Sequence, residues 1–249
     1  MKTNVNRISI NRWIMVIIFN CLLVWRDVFN YEIILGGRKG NLFEFIIFSL
    51  NNVYFIVLVG VISVWILVAD YKEISGIDIL LMIRFRERKE FYKIRMKTQR
   101  NKVFIYVLTT FVLRFIVAKV MQYQLGDVWI ILYEYKEYSF GSIAYLVIKL
   151  FVGILGYLCF FVWLRENIGE VANSGFLRNV LPGIIPVVEL AIFKSMSWRH
   201  LAYLPIGNIL LDYQYYEKGI LGIGVYWLLM LQILYLIRTE LHKKRDYYE

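Results

Sequence analysis

The chain has 249 residues, of which 59% are hydrophobic and 19% charged, and its net charge is +10. That balance excludes an ordinary soluble globular domain and matches a helical membrane protein. The apolar runs are continuous, not alternating, which excludes a β-barrel, and the positive charge suits cytoplasmic loops and anionic lipid head groups, not nucleic acid.

The first apolar run, 13–25, covers only about 20 Å as a helix. Arg12 and Arg26 can snorkel from its ends, and 8–10 and 28–29 can extend it, giving a first span of about 8–29. It carries Asn20 and lacks a small-residue cleavage site, so it reads as a retained helix and not as a signal peptide. The second run, 45–69, is 25 uncharged residues, enough to cross a hydrocarbon core of about 30 Å. Runs at 103–125, 143–164 and 179–193 supply spans three to five, and the uncharged run 219–237 the sixth. The expected fold is all-α and integral to the membrane, a single transmembrane domain over 1–249 with no linker and no internal repeat. Trp13, Trp25, Trp65, Trp129, Trp163 and Trp198 fall where apolar sequence meets polar sequence, as in an aromatic belt. Cys21 and Cys159 both lie within apolar runs and are expected to be thiols, not a disulfide.

Charge sets the orientation. With the N-terminus inside and six crossings, nineteen Lys/Arg fall in cytoplasmic segments and seven in outer ones, while Arg114, Lys119 and Lys149 lie within spans. The positive-inside rule then places both termini in the cytoplasm. Ten of the cytoplasmic charges sit between Lys72 and Lys102. There Leu81, Phe85, Tyr92 and Met96 form an apolar helical stripe interrupted by Lys89, beside a basic face of Arg84, Arg88 and Arg95. Arg86 and Glu90 add an i, i+4 pair. Such an amphipathic helix lies on the membrane surface or docks on a partner. A shorter cytoplasmic loop follows span four and holds Glu166, Gly169 and Glu170. The outer segment 194–218, with Trp198, Arg199, His200 and Pro205, is too polar to span and too apolar for an open loop. It reads as a re-entrant or interfacial hairpin broken at Pro205 and Gly207.

This pattern resembles the membrane subunit of type-2 ATP-binding-cassette (ABC) transporters, in particular the small Gram-positive permeases linked to bacteriocin or peptide export and immunity. The matching features are the six spans with both ends inside, the long basic connection between spans two and three, the short one between spans four and five, and the half-buried outer segment. The stretch Ile83-Arg84-Phe85-Arg86-Glu87-Arg88-Lys89-Glu90-Phe91 is similar to that family's basic coupling helix. The resemblance implies ATPase-coupling roles for Arg84, Phe85, Arg86, Arg88, Lys89 and Phe91, assisted by Glu166, Gly169 and Glu170. It further implies two ATPase subunits as partners, a second copy or sister permease, and residence in a bacterial cytoplasmic membrane. ATP and Mg would sit on the ATPases, with no cofactor in this chain, and the substrate would be a peptide or lipid-like molecule. No phosphate loop of the form G-x-x-x-x-G-K-[ST] occurs, so any ATP chemistry must come from a partner.

Ionisable groups inside spans need a reason. Arg114 lies about 18 Å into span three and Glu189 about 15 Å into span five, counted by helical rise, so the two are expected to meet and pair. Lys119 and Lys149 reach similar depths in the outer half and either snorkel or form a basic lining. Gly141, Gly153 and Gly156 in span four, and Gly219, Gly222 and Gly224 in span six, offer close-approach surfaces. Enzyme readings trail. The two histidines, His200 and His242, are too far apart for an H-E-x-x-H helix, no two Glu are adjacent, and no G-x-S-x-G is present. No span interior read this way contains Asp, and no metal site is expected. The competing reading is an ATP-independent immunity or sensor protein that binds a peptide.

Overall fold

Helix punctuation in the sequence sets most of the architecture of the computed structural model, which describes residues 2–35, 42–52, 55–68, 88–125, 140–171, 183–192, 204–205, 208–209 and 219–246. Helix α1, Lys2–Leu35, runs for 34 residues. Nothing between those ends breaks it, and it stops just before Gly36-Gly37, where a left-handed cap is cheap. It therefore continues beyond Trp25, through Arg26 and Asp27, and overruns the span expected from composition.

The uncharged run 45–69 is not one helix. Helix α2, Leu42–Leu50, gives way at Asn51-Asn52 to a π-helical turn, Phe55–Gly60, and then to α3, Val61–Val68. The cause is local. Asn51 N donates to Ile47 O at 2.7 Å, Asn52 Oδ1 accepts from Phe55 N at 3.3 Å, and Asn52 O accepts from Ile56 N at 3.0 Å. The first and last of these are ordinary helical bonds, whereas the Asn52 side-chain bond competes with the helical ladder, and π turns frequently mark functional positions.

Helix α4, Arg88–Leu125, is continuous over 38 residues and ends before Gly126. The basic segment read as a separate coupling helix is thus, where described, the leading end of the same rod that carries the third apolar run. Helix α5, Phe140–Val171, has 32 residues, and α7, Ile220–Asp246, has 27. Between them lies the short apolar helix α6, Gly183–Ile192. Pro186 lies within it and is buried.

Four described segments are long and apolar enough to cross a membrane: Ile10–Tyr31, Met96–Val120, Ala144–Ile168 and Ile220–Leu241. In the third, 61% of residues are buried inside the molecule, against 22% in α1 and 17% in α7, so α5 is central and the other two peripheral. Leu150, Tyr157 and Leu158 of α5 pack with Phe45, Leu50, Ile56 and Ile223 in a continuous apolar core. The outer faces are equally apolar. Ile14, Ile18 and Leu22 of α1, Phe115, Ile116 and Val120 of α4, and Leu221, Leu228 and Leu229 of α7 are exposed. Apolar outside as well as inside is the surface a bilayer requires and water does not tolerate. The described residues therefore give a multi-pass helical membrane protein.

Contacts fix the directions. Tyr31 packs on Phe45 and Phe48, so α1 runs against α2. At the other end of the bundle Lys102 Nζ donates to Leu67 O at 3.1 Å and Gln99 Nε2 to Glu166 Oε1 at 2.9 Å. Asn167 Nδ2 donates to Leu234 O at 2.9 Å. The end of α3, the start of α4 and the late parts of α5 and α7 thus meet at one level, while Ile220 N bonds Tyr145 OH far from it.

Candidate functional site

Two buried polar centres interrupt the apolar interior. The first forms around Arg114, which is fully buried on the inner face of α4. Its Nε donates to Ser49 Oγ at 2.9 Å, its Nη1 donates to Thr110 O at 3.3 Å, and its guanidinium carbon lies 4.2 Å from the centre of the Phe55 ring. Its Nη2 faces Asp27 Oδ2 at 3.6 Å, a charge contact too long for a hydrogen bond. The other carboxylate oxygen, Oδ1, accepts from Nη2 of Arg26 at 2.8 Å and from its Nε at 3.3 Å. Arg26 is half exposed. One carboxylate is therefore held between a surface arginine and a buried one, next to the helix break at 51–60.

The second centre is Glu189 on α6. Its Oε2 accepts from Tyr157 OH of α5 at 2.8 Å. Trp227 of α7 lies against the same tyrosine, with ring centres 6.2 Å apart. Gly156 makes that fit possible, since a Cβ there would overlap the indole. Asn208 and Ile209 are buried in a tight turn where Asn208 N donates to Pro205 O at 3.1 Å. Pro205 itself is half-buried at that turn.

The expected Arg114–Glu189 pair is thus not formed; each has a different partner. Counting helical rise gives height in the membrane but not the face on which a residue points, and Glu189 meets α5, not α4. The expectation that no span interior holds an Asp is corrected too, since Asp27 lies inside α1 and is buried. The uninterrupted apolar run 13–25 ends two residues short of it. Lys119 and Lys149, alike in depth by sequence, separate here: Lys119 is exposed on α4, and Lys149 is buried on α5. Cys21 is exposed and Cys159 buried, both as free thiols.

Of the residues read as ATPase contacts, Arg84, Phe85 and Arg86 lie outside the described residues, as do Trp198, Arg199 and His200. Arg88, Lys89 and Phe91 occupy the first turn of α4, and Gly169 and Glu170 the last turn of α5. Glu166 is turned inward, buried, and bonded to Gln99. It fastens the two segments together. Beside it Arg165 lies over the Trp65 ring at 5.9 Å, and Arg238 Nη1 donates to Met96 Sδ at 3.3 Å.

Asp27, Ser49, Gln99 and Tyr157 were not singled out by sequence. The signal for Ser49 was its place just ahead of an Asn pair in an otherwise apolar run. Comparison with protein-family models, with characterised proteins and with solved structures finds no match for this chain.

Proposed function

We propose that this chain is the membrane-embedded permease subunit of an ABC exporter, moving a peptide or lipid-like molecule by ATP hydrolysis on separate ATPase subunits. It crosses the cytoplasmic membrane six times, with α2–α3 and α6 as the two imperfect crossings and both termini inside. The observation that carries the reading is the junction at one end of the bundle, where the Gln99–Glu166 hydrogen bond ties the start of α4 to the end of α5. The two cytoplasmic connections expected to touch an ATPase thereby act as one body. The basic first turn of α4 projects about 12 Å beyond the start of its apolar segment, far enough to leave the hydrocarbon and meet a soluble partner. Helix-break chemistry at Asn51-Asn52 beside a buried charge also suits a chain that changes conformation, because discontinuous helices recur at transporter sites.

The test is purification of the tagged chain in mild detergent with identification of every stoichiometric partner. The expected result is an ATPase carrying a phosphate loop, lost when Arg84, Arg86 and Arg88 are all changed to Glu. A homogeneous complex with no ATPase overturns the permease reading in favour of an ATP-independent immunity or sensor protein.

A further inference from the structure

The two deep polar centres differ in one respect that decides what each can bind. Arg114 meets a carboxylate of its own chain, so its charge is answered internally. Glu189 is 9% exposed and has a tyrosine hydroxyl as its donor, with no cation at ion-pair distance among the described residues. A carboxylate in a water-poor interior is costly unless a positive charge answers it.

The surroundings of Glu189 sharpen the point. Tyr157, Tyr226 and Trp227 stand together, with Trp227 at 6.2 Å from Tyr157 and 5.1 Å from Tyr226 by ring centres. Tyr226 lies within electrostatic reach of Glu189. Phe160 closes the group at 6.1 Å from Trp227. Aromatic faces carry negative potential and attract cations. On the other side of α6, Ile184, Val187 and Val188 are exposed, so the bilayer borders the site.

From this we propose that Glu189, Tyr157, Tyr226 and Trp227 form a binding site for a lipophilic monovalent cation, an ammonium or guanidinium group on an apolar body. The cation answers the carboxylate, its positive face rests on the rings, and its apolar body enters from the lipid side past α6. The inference rests on the reading of this chain as a membrane translocator, and it narrows the substrate class to cationic amphiphiles.

The probe is tetraphenylphosphonium, titrated by calorimetry into the full chain in lipid nanodiscs, with tetraphenylborate as the anion of the same shape. The expected result is saturable binding of the cation, weaker binding of the anion, and a loss of about tenfold or more in Glu189→Gln, which is about 1.4 kcal/mol. In the unmutated protein, dicyclohexylcarbodiimide, which reacts with carboxyls in apolar surroundings, should modify Glu189 and be slowed by the cation. Cation binding that survives Glu189→Gln overturns the proposal. So does binding no stronger than to empty nanodiscs, absence of modification at Glu189, or modification the cation leaves unchanged. No ATPase or ATP is present, so these outcomes do not depend on the coupling partner, which the purification experiment tests separately.

Discussion

Arg114 is the residue on which the interior is most sensitive. Its partners come from three elements, Asp27 on α1, Ser49 on α2 and Thr110 on its own helix, so removing its charge unties all three and leaves the buried Asp27 carboxylate to the half-exposed Arg26. Arg114→Gln is expected to cost about 3–5 kcal/mol, the range for breaking a buried pair from one side. Asp27→Asn should cost nearly as much, and the double variant should recover part of the loss. Thermal unfolding of the purified protein in detergent reads all three, and additive losses would show that the two groups do not act as a pair. Gly156 gives a second test at this scale. Gly156→Leu should destabilise by about 1–3 kcal/mol through overpacking, and Trp227→Leu in the same chain should restore much of it. Sequence made the depth of Arg114 and Glu189 legible, because apolar run length sets height. Their partners were not legible, because the azimuth of a side chain depends on which helix lies beside it.

Among the elements, α4 and the α2–α3 segment differ most from what the apolar runs suggest, in opposite senses. The chain from 78 to 125 has neither Gly nor Pro, so nothing ends a helix between the basic segment and the apolar one. That absence was readable, yet it was outweighed by the change in composition near residue 103. The run 45–69 has no charge, but Ser49, Asn51 and Asn52 interrupt it, and a hydropathy sum does not register three small polar groups. Asn52→Ala should therefore weaken the turn by about 1 kcal/mol through loss of the bond to Phe55 N, seen as earlier thermal unfolding. For α4 the decisive change is Lys97→Pro, at an exposed position between the basic turn and the buried part. It should leave membrane insertion intact while abolishing co-purification of the ATPase. Retained co-purification would mean that the continuity of the rod is unimportant to coupling.

For the molecule as a whole, the end of α3, the start of α4 and the late parts of α5 and α7 lie at one end of the bundle. The same end of the bundle gathers Lys102, Arg165 and Arg238, together with the basic start of α4. If that end is cytoplasmic, a tag after Glu249 should resist protease added to intact cells and become cleavable only on lysis. Cleavage from outside would reverse the topology and remove the ATPase from reach. The overall helical membrane class was legible because composition alone demands it, and the packing order was not, since every span reads as similarly apolar. One geometric consequence is mechanical. Taken as a rod held where Lys102 grips the carbonyl of Leu67, α4 is a lever with arms of about 21 Å to Arg88 and about 18 Å to Arg114. A sideways push on the basic tip would then arrive in the interior reversed in direction and almost undiminished. It would arrive where Arg114 and Asp27 stand 3.6 Å apart, a gap that a displacement of about 1 Å turns into a hydrogen bond or abolishes.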